Sequence, residues 1–268
     1  MKALIIAAGR GKRLQDLTKD TPKSLLKVGG VTILKRMIDS MNASGIFEIG
    51  LVRGYLAEKF DDPAIRYFDN KNYENNNVLE SLMCARKFLT ESADEGTSVV
   101  VSYSDIVIDK KWIQSAKSFD SDITLLCDSN WAAKYIGRDQ HPKTEAELAV
   151  FDSRSFLCSV GKIFDTLQKS GEVKIMNIAE YVGICVLNPN GILKLVDTFD
   201  YLHKSLEPTD QFGNSSEFQK AYLTDLFQFM VQAKENIFVH VANYPWFEID
   251  TGQDLARANE FFSKGNQL

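Results

Sequence analysis

The chain has 268 residues, a formal net charge of −5 and a pI near 5.4, enough length to bury a full core and a fit to one large α/β domain at least as good as to two small ones. The acidic balance argues against nucleic acid as the main partner, and no stretch reaches the roughly 18 apolar residues of a membrane-spanning helix. The N-terminal apolar run is also too short for a signal-peptide core. Cys84, Cys127, Cys158 and Cys185 form no CxxC pair and sit beside apolar residues, so all four read as reduced core thiols of a cytoplasmic protein.

Ala3 to Ala8 form an apolar run of buried-strand length that empties into Gly9-Arg10-Gly11-Lys12-Arg13, where a helix is expected to begin. Two glycines let the backbone turn tightly and bring its N–H groups to an anion, and Arg10 to Lys27 carries six cations against Asp16 and Asp20. Cations that follow a strand and alternate with glycines fit a nucleoside triphosphate better than a merely solvated face. Pro22-Lys23 then supplies a point charge on a stiffened segment. A helix is predicted over Val31 to Ala43, with Ile33, Leu34, Met37, Ile38 and Met41 on one face and Gly45 at its end. Strands are expected at Glu48 to Val52 and Ala64 to Phe68, then a polar loop to Asn77, a helix over Val78 to Leu89, and a strand over Thr97 to Tyr103 ending at Ser104-Asp105. This alternation implies βαβ units, a largely parallel sheet and ligands at the carboxyl ends of its strands, where Gly9, Asn72 to Asn77 and Asp105 lie.

From Asp122 the expected strands shorten: Asp122 to Cys127, Glu147 to Asp152, Leu157 to Phe164 and Glu180 to Leu187. Trp131 to Thr144 has no clear period and reads as an acceptor-site insertion. Helices are expected at Gly191 to His203 and Glu217 to Ala233, an exposed excursion between them at Lys204 to Ser216, a strand at Ile237 to Val241, and a last helix near Asp254 to Phe262.

Two phosphate loops are excluded by their spacing. Leu14 stands where the dinucleotide fingerprint needs its third glycine, and Lys23-Ser24 follows proline instead of the glycine of a P-loop. What remains is Ala7-Ala8-Gly9-x-Gly11-x-Arg13-Leu14 followed by Pro22-Lys23. It resembles the nucleotidyltransferase family that includes sugar-1-phosphate nucleotidylyltransferases and phosphocholine cytidylyltransferases. The resemblance is densest at Ala7 to Lys27, Tyr73 to Leu82, Val99 to Asp105, Trp131 to Glu147, Tyr181 to Ile184 and Trp246 to Ala258.

The resemblance implies an α/β, Rossmann-like fold of the nucleotide-diphospho-sugar transferase type: a mixed, mainly parallel sheet flanked by helices, with a small acceptor-binding insertion. It implies a single domain over 1–268, in which 1–121 hold the nucleotide and 122–268 hold the acceptor and the second metal ligand. An acceptor oxygen would attack the α-phosphorus of a nucleoside triphosphate and pyrophosphate would leave, so catalysis is mainly alignment and charge neutralisation. The resemblance assigns Ala7, Ala8, Gly9, Gly11, Lys12 and Arg13 to the triphosphate and Lys23 to the α-phosphate and acceptor oxygens. Asp105 and Asp250 match the carboxylates that hold Mg²⁺. A turn at Asp105 and a helix N-cap at Asp250 are the structural alternatives.

Tyr73-x-x-Asn76-Asn77-x-x-x-Ser81-Leu82 resembles the choline-phosphate branch. Amides at Asn72, Asn76 and Asn77, with Ser81, both donate and accept as a cytosine edge requires, so CTP is the expected nucleotide; an N-capped turn is the alternative. For the acceptor, Trp131, Tyr135, Tyr181 and Trp246 offer cation–π faces to a quaternary ammonium, or else pack in the core. Asp128 to Glu147 also resembles cytidylyltransferases acting on phosphonate or phospho-amino-acid-like acceptors. There Arg138 suits a bidentate anion contact, His141 a second hydrogen bond and Lys162 the acceptor phosphate, while Glu180 and Asp225 either meet acceptor polar groups or are structural. The expectation is a Mg²⁺-dependent cytidylyltransferase without a nucleic-acid or membrane partner; a homodimer is compatible with the pattern, which does not fix the oligomeric state. The rivals are a sugar-1-phosphate nucleotidylyltransferase using UTP, dTTP or GTP, and a catalytically silent nucleotide-binding regulator.

Overall fold

The computed structural model describes residues 1–170, 177–266 and 268. In the first half the strands are β1 (Lys2–Ala7), the short hairpin β2 (Lys27–Val28) and β3 (Val31–Thr32), β4 (Ile49–Arg53), β5 (Ile65–Asp69), β6 (Val99–Tyr103) and β7 (Ile106–Ile108). Between them lie helices α1 (Ile33–Ala43), α2 (Val78–Cys84) and α3 (Arg86–Asp94). β1 pairs in parallel with both β4 and β6, and β5 extends the parallel edge beyond β4. Every residue of β1 is buried, as its unbroken apolar run requires for a strand covered on both faces. α1 starts where the side chain of Thr32 accepts from the Lys35 N–H, and it buries Ile33, Leu34, Met37 and Met41.

The second half adds α4 (Lys111–Ala116), β8 (Ile123–Asp128), α5 (Trp131–Lys134), β9 (Leu148–Phe151), β10 (Leu157–Gly161), α6 (Phe164–Ser170) and β11 (Asn177–Leu187). It closes with α7 (Pro189–Ser205), α8 (Leu223–Gln232), β12 (Ile237–Ala242), β13 (Trp246–Glu248) and α9 (Gly252–Ser263). β11 pairs antiparallel with β6, β8 and β9, joining both halves into one sheet with the parallel core on one side. Its register shifts between Tyr181 and Cys185, where Gly183 has φ of +79°. A Cβ there would meet the Tyr103 ring at 2.8 Å, so only glycine admits this bend beside that ring.

The small ribbon β7–β13 matters most for the site. Ile106 sits opposite Glu248, and the Ile249 N–H donates to the Asp105 carbonyl at 2.8 Å. Two segments far apart in sequence thus end side by side at the carboxyl edge of the sheet.

Several boundaries differ from the sequence pattern. The glycine loop opens into a 3₁₀ segment, Lys12–Thr18, instead of an α-helix, because Gly11 is left-handed and Gln15 breaks the helical dihedrals. The helix expected over Val78 to Leu89 divides at Ala85, and the strand from Leu157 stops at Gly161 before α6. The helix from Glu217 becomes a 3₁₀ turn, Phe218–Lys220, and then α8, because Ala221 is extended between them. Cys127 and Cys185 are buried, but Cys84 and Cys158 are exposed; alternation on β10 buries Leu157 and turns Cys158 outward. Among the described residues no helix is long and apolar enough to cross a membrane.

Leu4 is wholly buried in the central strand, whereas Phe47 is 74% exposed. Leu4→Ala is expected to lower unfolding free energy by about 2–5 kcal/mol, against about 0.5 kcal/mol or less for Phe47→Ser. Urea denaturation of the two variants checks this, and equal losses would contradict the assigned core.

Candidate active site

A cleft of about 490 Å³ opens at the carboxyl ends of β1 and β6. Its floor on the nucleotide side is Ala7, Ala8, Gly9, Gly11, Lys12 and Arg13, the residues expected to meet a triphosphate. Gly9 has open space where a Cβ would stand, so an anion can approach its backbone. Gly11 is left-handed, and a Cβ there would press within 2.9 Å of the Lys23 side chain. The loop therefore turns at Gly11 and leaves room for Lys23 beneath it.

Lys23 is 8% exposed and follows Pro22, whose extended backbone sets its direction. Its ammonium donates to Asp105 Oδ2 at 2.7 Å and to Asp250 Oδ1. Arg13 donates to Asp250 Oδ2 at 2.5 Å from the half-exposed rim of the loop. Burial alone would lower the lysine pKa, but the two carboxylates outweigh it and raise it. Burial likewise opposes ionisation of Asp250, yet Lys23 and Arg13 hold it down at about 2. The cap of α9 is Thr251, whose hydroxyl oxygen accepts from the Asp254 N–H, so the Asp250 carboxylate is not spent on capping.

Asp105 Oδ1 is buried and has no hydrogen-bond partner. An orphaned anionic oxygen beside a second carboxylate fits a hard cation such as Mg²⁺, which takes oxygen ligands and shares phosphate oxygens. A second donor group, His141, Glu248 and Asp250, also lies within 4.8 Å. Its charge is already met by Arg138, which is 3.1 Å from His141 Nδ1 and donates to Glu248 Oε2 at 3.0 Å. Burial and the neighbouring Arg138 push His141 down to about 4, so it stands neutral. Burial and the repulsion of Asp250 push Glu248 up to about 8. Of the two sets, Asp105 with Asp250 suits the metal, because a flexible lysine stem can release them more readily than the buried guanidinium can leave its partners.

On the base side, Asn76, Asn77 and Ser81 line the cleft. Each is also tied inward: Asn70 Nδ2 donates to Asn76 Oδ1 and Ser81 Oγ, and Asn77 Nδ2 donates to the Lys220 carbonyl. Asn72 does not reach the cleft; its amide oxygen accepts from Asn75, the behaviour of a turn former.

The acceptor side needs larger corrections. Trp131 and Tyr135 are absent from the cleft wall, since they pack edge to face with each other at 6.1 Å, and Trp131 does the same with Phe164. Tyr135 instead donates its hydroxyl to Glu180 Oε1. Arg138 is not a free anion clamp. It is 9% exposed and bound to Asp254 at 2.6 Å as well as to Glu248, so it braces α9 against the insertion. Asp225 is structural too, accepting from the Asn214 and Tyr222 N–H groups and from the Ser215 hydroxyl. His141, Lys162, Glu180, Tyr181 and Trp246 do line the cleft.

The cleft also holds Tyr73, Tyr103, Glu145, Glu147, Tyr222 and Glu248, none of which was singled out from the sequence as a site residue. One of them carried a signal: Glu248 precedes Asp250 by two residues in an extended segment, so the two project to one side. Tyr222 gains its place only from the turn before α8.

The description of the MobA-like NTP transferase domain matches residues 3–142, more than half of the chain. A probable glucose-1-phosphate cytidylyltransferase of Bacillus subtilis is 33% identical over 282 residues, covering 100% of this chain and 98% of that one. The CTP:phosphoglutamine cytidylyltransferase of Campylobacter jejuni is 25% identical over 263 residues, covering 95% of this chain and 98% of its own. A solved structure of the CTP:phosphocholine cytidylyltransferase from Streptococcus pneumoniae superposes with a TM-score of 0.70 at 20% identity, covering 97% of this chain and 98% of that chain, and so shares the fold. By the match over its first half and the end-to-end alignment with its relatives, this chain belongs to the MobA-like NTP transferase family of nucleotidyltransferases.

Proposed function

We propose that the protein is a Mg²⁺-dependent cytidylyltransferase of the cytoplasm, moving CMP from CTP to a small phosphorylated or phosphonate acceptor as one domain, with 1–121 serving the nucleotide and 122–268 the acceptor. The observation that carries this reading is the convergence of Lys23 on Asp105 and Asp250 beneath the glycine loop. An acceptor oxygen forms a new bond to the α-phosphorus, the bond from that phosphorus to the β-bridging oxygen breaks, and pyrophosphate leaves with the electron pair.

Each residue has a role in that step. Backbone N–H groups at Gly9 and Gly11, with Lys12 and Arg13, hold the triphosphate tail. Lys23 turns from its carboxylates to the α-phosphate and the incoming acceptor oxygen, where a buried cation offsets the growing negative charge. Asp105 and Asp250 would hold Mg²⁺, which when bound neutralises phosphate oxygens as a Lewis acid. Lys162, now 2.8 Å from Glu145, lies on the acceptor side and suits the acceptor phosphate. The names of the Campylobacter and Bacillus relatives support CTP as the donor, and Asn76, Asn77 and Ser81 supply the matching donors and acceptors.

The Bacillus relative favours a second reading, a sugar 1-phosphate as acceptor. A screen of CTP, UTP, dTTP and GTP against phosphocholine, 2-aminoethylphosphonate and hexose 1-phosphates, read by pyrophosphate release, separates the two. Turnover is expected with CTP and a non-sugar acceptor; turnover with hexose 1-phosphates alone would favour the second reading, and turnover with UTP but not CTP would refute cytidylyl transfer.

Asp105→Asn is expected to lower kcat by about 100-fold or more while the protein stays folded. Unchanged Mg²⁺-dependent turnover would exclude Asp105 as a ligand. Lys23→Met removes the cation between two carboxylates and should cost about 3 kcal/mol of stability at pH 7. Because Asp250 is held down from 3.8 to about 2, this stabilisation is present above about pH 4 and fades as pH falls toward 2. The gap between wild type and Lys23→Met in denaturant titrations should therefore narrow from pH 7 to pH 3, and a gap that does not change with pH would contradict the ion-pair assignment.

A further inference from the structure

Four glutamates line the cleft, and three of them are already provided for. Glu145 is paired with Lys162 at 2.8 Å, and Glu248 with Arg138 at 3.0 Å. Glu180 accepts the Tyr135 hydroxyl and faces the charges of Arg138 and Lys134. Glu147, like Glu180, has no ion pair among the described residues, but it faces one cation, Lys162, where Glu180 faces two, and its Oε1 accepts only the Thr224 hydroxyl, at 2.7 Å. Oε2 has the Tyr103 hydroxyl at 3.5 Å, the outer limit of a hydrogen bond. Burial pushes the Glu147 carboxyl up to about 7, against the opposing pull of Thr224 and the more distant Lys162.

The walls around this carboxylate are aromatic. Tyr103 and Tyr181 stand edge to face at 5.9 Å, in the space that Gly183 leaves beside the Tyr103 ring, and Tyr222 borders the same cleft. The Tyr222 face already attracts one cation, since the Lys162 ammonium lies 4.8 Å from its ring centroid. A half-buried carboxylate without a paired cation is costly, and an aromatic surround favours a cation of low hydration. An ammonium group supplies the counter-charge at such a site, which a neutral hydroxyl-rich ligand lacks.

We propose that Glu147 recognises a positively charged nitrogen on the acceptor and thereby restricts substrates to small phosphates or phosphonates that carry an ammonium group. This rests on the cytidylyltransferase reading above and adds the residue that sets acceptor choice. The ammonium lies toward Glu147, Tyr103 and Tyr181 while the acceptor phosphate points to Lys23, so charge at both ends fixes the orientation for attack.

The test compares matched acceptors with CTP and Mg²⁺: phosphocholine against its neutral carbon isostere 3,3-dimethylbutyl phosphate, and 2-aminoethylphosphonate against propylphosphonate. Wild type should prefer the ammonium member of at least one pair by about 30-fold in kcat/KM, mostly through KM. Glu147→Gln should collapse that ratio toward one, and Glu147→Asp should restore part of it. A wild-type enzyme that uses the isosteres as well as the amines overturns the proposal whatever the variants do. A ratio that survives in a folded Glu147→Gln protein also overturns it, leaving the cytidylyl-transfer reading intact. If CTP supports no member of either pair while a hexose 1-phosphate is turned over, the reading beneath the proposal falls with it.

Discussion

The site depends on one buried ammonium shared by two carboxylates. Lys23 is held between Asp105 and Asp250, and without that cation two negative charges would face each other at the edge of the sheet. Three structural devices bring the trio together. Gly11 turns the loop away from the lysine stem, Pro22 directs it, and pairing of β7 with β13 brings Asp105 and the segment of Asp250 to the same place. On the proposed reading, this cation between anions is exchanged for a metal between anions and a cation on phosphate.

Around this centre the charges divide into braces and receptors. Arg138 joins Asp254, Glu248 and His141 into a network that fixes α9 to the insertion through its Nε and Nη2. Lys23, Arg13 and Lys162 sit on partners that line the open cleft, where a bound cation can take over the carboxylates that Lys23 would leave. Glu147 is the counterpart on the acidic side, an acid with no ion pair among the described residues.

The sequence showed the first half of the fold well because its signals are local. An unbroken apolar strand followed by Gly9, Gly11 and Arg13 can only turn at the strand end, and the periodicity of α1 names its own buried face. Asp105 and Asp250 were named from the resemblance, and both line the cleft. The second half was less legible, since its geometry comes from pairings that skip along the chain. Trp131, Tyr135 and Arg138 look like binding groups in sequence, yet an irregular insertion needs a core and a brace of its own, and these residues supply them. Glu147 and Tyr222 look ordinary in sequence and reach the cleft only through the fork of β11 and the turn before α8.

The central claim, that Lys23 holds the metal position until substrate arrives, is tested most directly by anomalous diffraction from crystals grown with Mn²⁺ and a non-hydrolysable CTP analogue. The account predicts a manganese peak bound by Asp105 and Asp250, with the Lys23 ammonium moved onto phosphate oxygens. A manganese peak among His141, Glu248 and Asp250, with Lys23 still bridging its two carboxylates, would contradict it.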